Sequence, residues 1–386
     1  MFLGSRLSYI FLFIFLFLEP LYKYCEYVLH FPRINMSLLY FGILIIIYLI
    51  NIYNYNKIKT KNISVSIYLL ILVTLVQVVT FPWASTYSSN GVNLYLTTIS
   101  NTIIKYWLFW FLGNHIKDII YDKKFWTIMT YLWIFLVALI ISNALNNDIF
   151  GIILDGTGIY LMLADSFAIF SIFLFSRYNK KKYQILIVII STICLVALFS
   201  RASLYCFILT SFIFLFKTNK VFFFSLLLCI LSILYFGVSQ EIIEDRMFRI
   251  IFGGTDASYN MRAEDLSRGL EDLRNDWILG SFMGDVENNF GKSGEYIHNY
   301  ISFWRQFGIL PFVVFVSTLI YYFSIITKVW FSSNNKDRYV NILFYLSLFS
   351  ILEIISSRSF VYPYIWFSIG GIATYLKYAQ MDDKKI

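Results

Sequence analysis

Across 386 residues only 14% are charged and 59% are hydrophobic, against the roughly 25% charged share of soluble domains. That deficit excludes an ordinary water-soluble domain and points to an all-α polytopic membrane protein. The formal charge of +8 then reads as a topology signal and not as a nucleic-acid footprint. Four cysteines, three of them inside apolar runs (Cys194, Cys206, Cys229), offer neither metal spacing nor a disulfide framework.

The first apolar core, at 7–18, follows Arg6 and runs into Glu19-Pro20. No small-residue cleavage site follows it, so it is expected to remain as a first span at about 6–22. Further stretches at about 36–53, 63–81, 93–116, 125–142, 158–176, 184–200, 202–216, 221–238, 301–327, 340–356 and 359–376 bring the expected count to twelve. They make one membrane domain over 1–386. All should be helices, which satisfy their own backbone groups in lipid. With the N-terminus cytoplasmic, the Lys57/Lys59/Lys61, Lys117/Lys123/Lys124, Arg177/Lys180/Lys181/Lys182 and Lys217/Lys220 loops all fall inside, and the C-terminus with them. The loops at 82–92 and 143–157, without lysine or arginine, fall outside.

The segment from about 239 to 300 is then external and is the only large polar loop. Leu266, Leu270, Leu273 and Trp277 recur in it at helical spacing, with charges on the other faces. Ser258 or Asn260 is the expected cap, Gly280 the expected end, and Glu264 the expected partner of Arg268. A second amphipathic helix is expected at Gln240 to Ile251, and a flexible stretch from Gly284 to Gly291.

His298 ends this loop at the membrane edge, among Tyr296, Tyr300 and Trp304. A solvated loop histidine is the plain reading; the setting favours a proton-transfer group. Arg201 interrupts the apolar stretch from Cys194 to Phe216, and an arginine at that depth marks either a snorkelling side chain or an anion site. Arg262 stands in the first turn of the loop helix, where backbone N–H groups also attract anions, while Arg268 and Arg274 read as its solvated face. Lys105, Asp165, Glu353 and Arg358 are further charges in or beside spans, paired with one another or lining a cavity. Asp285-x-Glu287 is too little for a metal site, and the chain has no phosphate-binding P-loop or Gly-x-Ser-x-Gly elbow.

Several of these residues stand in a familiar order: Phe199-Ser200-Arg201-Ala202-Ser203, then Arg262, then Asp272-Leu273-Arg274-Asn275-Asp276-Trp277-Ile278-Leu279-Gly280, then His298-Asn299-Tyr300 with Phe307-Gly308. In these the chain resembles the O-antigen polymerase and ligase superfamily of bacterial envelope glycan enzymes. Trp277-Ile278 stands where that family often has proline, and Gln306 where it often has glutamate. The resemblance implies an inner-membrane glycosyltransferase with its active site on the periplasmic side and no cofactor. The donor would be an undecaprenyl-pyrophosphate-linked oligosaccharide. Arg201 and Arg262 would bind the pyrophosphate, and His298 would be the general base. Asn299, Tyr300, Arg268, Arg274 and Arg305 are the expected further substrate contacts. A polymerase, adding to another lipid-linked repeat unit, is favoured over a ligase acting on lipid A core. A lipid-linked oligosaccharide flippase is the rival of another class, but such transporters often show two related halves, which this chain lacks. Membrane lipids, a chain-length regulator and a flippase are the expected partners, and nucleic acid is not.

Overall fold

The computed structural model describes residues 10–28, 30, 32, 39–46, 64–88, 91–145, 159–178, 180–224, 227, 257–291, 297–332 and 337–383. Among these the chain is helical and has no strand. A π-helical turn at Ile14–Leu18 leads into Glu19–Val28 (α1), and Val65–Val79 is α2. Gly91–Ile99 (α3) and Lys105–Asn114 (α4) are joined through a π turn at Ser100–Ile104. Then come Lys123–Leu145 (α5), Ile159–Arg177 (α6), Lys181–Ala197 (α7) and Arg201–Thr218 (α8). The later elements are Ala257–Asn275 (α9), Gly284–Asn288 (α10), Ile301–Phe307 (α11), Ile309–Ser332 (α12), Arg338–Ser356 (α13) and Tyr364–Asp383 (α14).

Among the described residues five helices, α5, α6, α8, α12 and α13, are long and apolar enough to cross a membrane. The most apolar windows of α6 and α13 are 78% and 72% buried, against 28% for α5 and α12, so the first two form the centre and the others the rim. Outward residues such as Val313, Ile320 and Tyr321 leave on α12 an apolar face of the kind lipid covers. Small residues let α4 and α14 touch along their backbones: a Cβ on Gly370 would lie 2.2 Å from the Trp110 carbonyl oxygen.

Several local expectations differ. The apolar stretch at 301–327 is broken at Gly308, whose φ of +83° separates α11 from α12. The cause is contact with the loop. Ile309 N donates to Ile278 O at 3.1 Å, and Ser281 N donates to Arg305 O at 2.7 Å. A Cβ on Gly308 would meet Ile278 O at 2.3 Å, and one on Gly280 would meet Gly308 N at 2.4 Å. The last helix begins at Tyr364, which leaves 357–363 as a connection carrying Arg358. Ser258 and Asn260 lie inside α9 and do not precede it; Arg262, five positions past Ala257, stands beyond the first turn expected for it, and the helix ends at Asn275 and not at Gly280. The stretch from Gly284 to Gly291 is not a free linker: it begins as α10, and Asp285 is buried. Most of the stretch at 221–238 and all of Gln240 to Ile251 lie outside the described residues.

Candidate active site at one end of the bundle

Three helices and one connection bring four polar side chains together in the interior. Asp165 comes from the first half of α6, Ser203 from the first turn of α8, Glu353 from the last turn of α13, and Arg358 from the connection that follows. Arg358 Nη2 donates to Asp165 Oδ1 at 2.6 Å and to Ser203 Oγ at 3.2 Å; Ser203 Oγ in turn donates to Asp165 Oδ1 at 2.6 Å. Arg358 Nε lies 3.2 Å from Glu353 Oε2. Asp165 and Glu353 are both buried. Ions in such a place persist only when paired and hydrogen-bonded. Both carboxyl groups thus share the one guanidinium.

The turn that carries His298 is fastened to this connection. Asn299 Oδ1 accepts from Ile301 N at 2.9 Å, and Asn299 O accepts from Ser302 Oγ at 2.6 Å, so the turn starts α11 with its own side chains. Phe360 N donates to Ser302 Oγ at 2.7 Å, which ties the turn to the 357–363 segment. His298 Nε2 comes to rest 3.8 Å from Asp265 Oδ2 of α9. That carboxylate favours the imidazolium, but burial acts against it, as do the charges of Arg262 and Arg358. Together they pull the imidazole down to about 4. At neutral pH the ring is uncharged and able to accept a proton.

Arg201 is the first residue of α8, two positions before Ser203. The Phe199 φ of +53° turns the chain sharply between α7 and α8. Arg201 thus stands half-buried at a helix N-terminus, where N–H groups favour anions. Its helix is fastened by Ser203 to the Asp165–Arg358 pair.

The remaining expected contacts separate. Arg305 is 4% exposed and braces the loop: its Nε donates to Asp272 Oδ2 at 2.9 Å, Nη2 donates to the same oxygen, and Nη1 lies 3.3 Å from Asp285 Oδ1. Gln306 continues the brace, donating to Asp285 at 2.8 Å and accepting from Met283 N at 2.8 Å. Arg268 pairs with Asp265 at 2.8 Å, not with the expected Glu264. Arg274 is exposed, and Tyr300 stacks on Phe312 with ring centroids 6.1 Å apart.

Sequence reasoning left Asp265 and Ser203 without a role. Asp265 follows Arg262 by three positions, which puts both on one helix face; Ser203 lies inside the Ser200-Arg201-Ala202-Ser203 run. The Arg358 partners are now fixed, and Lys105 has a different one: Glu19, at 2.7 Å, with the Tyr40 ring centroid 5.1 Å from its ammonium. Among the described residues no group of three or more His, Cys, Asp or Glu is arranged to hold a metal ion. Searches against protein-family models and curated proteins return no match to this chain.

Proposed function

We propose that the chain is a surface-polysaccharide polymerase of the O-antigen type. It transfers a glycan from undecaprenyl pyrophosphate to the non-reducing end of another lipid-linked repeat unit. The observation that carries this reading is the mostly buried His298 imidazole, beside Asp265 and kept uncharged by burial and by the charges of Arg262 and Arg358. An acceptor hydroxyl oxygen attacks the anomeric carbon, the bond from that carbon to the pyrophosphate breaks, and the hydroxyl proton passes to His298 Nε2. Arg262, with Arg201 at the start of α8, holds the departing pyrophosphate by charge-assisted hydrogen bonds. These cations take the part a divalent metal plays in other glycosyl transfers. Arg358, held between Asp165 and Glu353, positions the histidine turn.

A base near 4 is weak for this task, since general bases work best near the operating pH. The donor corrects it. Pyrophosphate charge beside Arg262 offsets the cations that depress His298, so donor binding raises the imidazole toward its ordinary range. Base strength then arrives together with the leaving group.

In this reading the twelve spans sit in a bacterial inner membrane with both termini cytoplasmic. The 239–300 loop covers the site from the periplasm. Expression in a bacterium lacking its own polymerase, but making the matching lipid-linked repeat unit, should restore a ladder of surface glycan lengths. Transfer of single units to lipid A core would mark a ligase instead, and no transfer at all would remove the reading.

A further inference from the structure

Trp277, Ile278 and Leu279 follow α9 as three large apolar residues in a row, 51%, 56% and 81% exposed. They ride on a tight turn: Gly280 N donates to Asp276 O at 2.8 Å, and Gly280, at φ +70°, brings the chain back to the bundle. Arg274, Asn275 and Asp276, just before them, are polar and also exposed. A short apolar wedge, with charge on one side, is thus pushed away from the protein. Its backbone is pinned, because Ile309 N donates to Ile278 O at 3.1 Å and the Leu279 carbonyl packs against Gly308. The wedge is therefore fixed at the level where α12 starts.

That level can be measured along α12. Leu310, Val313, Ile320 and Tyr321 are exposed at helical spacing and form one outward apolar stripe. Lys328, exposed on the same stripe, lies nineteen residues past Ile309, about 29 Å at 1.5 Å per residue. The hydrocarbon core of a bilayer is about 30 Å thick. With the Lys328 ammonium in one headgroup layer, Ile309 stands at the edge of the other. Aromatic rings collect at that edge: Trp304 and Tyr300 both stack on Phe312, at 5.4 and 6.1 Å, and Trp304 Nε1 donates to Trp277 O at 2.8 Å. Tryptophan and tyrosine gather where membrane meets water. From these features we infer that the 277–279 turn is seated in the headgroup–acyl boundary of the bilayer. Its partner is the lipid around α12, whose outward stripe reaches the wedge through Leu310, 62% exposed. Three side chains flanked by charge fall well short of the roughly 800 Å² that a stable protein interface takes from each partner. Seated there, and tied to α11 by the Trp304 and Arg305 bonds, the wedge holds the turn of His298 at headgroup depth, where a lipid-anchored phosphate lies. That consequence rests on the glycosyl-transfer reading; the seat of the wedge does not.

The test uses the full chain in nanodiscs of phosphatidylethanolamine and phosphatidylglycerol, which leave both membrane faces open to solutes. A nitroxide is placed on Leu279→Cys, with Leu310→Cys as the lipid reference and Glu271→Cys, exposed on α9, as the water reference. The unaltered chain, treated with the same reagent, gives the background from the native cysteines. Oxygen concentrates in lipid and a nickel chelate stays in water, so the ratio of their relaxation effects reads depth. At 279 that ratio should exceed the value at 271 several-fold and approach the value at 310. A smaller excess puts the turn in water, and protection from both relaxants puts a second copy of the chain on it; either result overturns the inference. Each labelled chain is first checked for an unchanged thermal midpoint, and if Leu279→Cys fails, Trp277→Cys is read in its place by the same criterion. A turn found in water would leave the enzyme reading standing, and a chain that lengthens no glycan would leave the lipid seat standing.

Discussion

The guanidinium of Arg358 lies 2.6 Å from the carboxylate of Asp165, a residue 193 positions earlier in the chain. This pair, with Glu353 and Ser203, joins the central helices α6 and α13 to the start of α8 and to the connection under the histidine turn. Everything proposed for the site depends on that junction holding its shape.

Removing the cation from it should be expensive. Arg358→Ala leaves the buried Asp165 carboxylate without its cation, and breaking one side of a buried ion pair costs about 3–5 kcal/mol. The thermal midpoint in detergent should fall clearly. Arg358→Lys should recover only part of the loss, because an ammonium cannot reproduce the fork that serves Asp165 and Glu353 at once. An unchanged midpoint for Arg358→Ala would show the junction to be dispensable.

The two glycines that let the loop dock make a second prediction. Gly308 has φ +83° and ψ 176°, a conformation essentially confined to glycine, which costs other residues about 1–3 kcal/mol. Gly308→Ala adds a clash with Ile278 O on top of that strain. The expected result is undocking of the 276–291 segment, read as rapid proteolysis there while α12 stays protected. Equal protease resistance in the two proteins would contradict it.

The histidine sets a pH dependence of stability. Its folded value, about 4, lies below the ordinary 6.5, so the unfolded chain binds the proton more readily than the folded one. Stability from this group is therefore fully present above about pH 6.5, falls as pH drops through the window from 6.5 to 4, and is gone below it. A tenfold difference in proton affinity between the two states is worth about 1.4 kcal/mol, which caps the loss at about 3 kcal/mol for this partly buried ring. His298→Asn should flatten that slope in midpoint-against-pH measurements; an unchanged slope would assign it to other groups.

Donor charge should move the same group upward. In an NMR titration of the purified chain, the signal lost in His298→Asn identifies the ring among the three histidines. Inorganic pyrophosphate should shift its midpoint up toward the ordinary range, and Arg262→Ala should raise it even without pyrophosphate. A midpoint indifferent to both would separate His298 from the anion site.

Apolar runs made the helical bundle legible, because hydropathy reports burial in an apolar setting one residue at a time. What stayed hidden depends on partners far along the chain. Gly308 sits inside an apolar run, and only its contact with Ile278 breaks the helix there. Asp285 looked like part of a polar linker because its binders, Arg305 and Gln306, lie about twenty residues on in what read as a span. Glu353, Asp165 and Arg358 stood out as misplaced charges, but no periodicity says which carboxylate meets which guanidinium. Arg201, Arg262 and His298 stood out by residue type and setting. Asp265, whose carboxylate faces His298, gave no signal beyond its spacing from Arg262.

Most directly, the account is tested by the rate of glycan lengthening in vesicles that contain only the purified chain and its lipid-linked repeat unit. The unaltered protein should lengthen the glycan with no added nucleotide. His298→Ala, present at equal folded concentration, should be slower by about 10²–10⁴, with donor binding retained. Full turnover in His298→Ala would contradict the central claim.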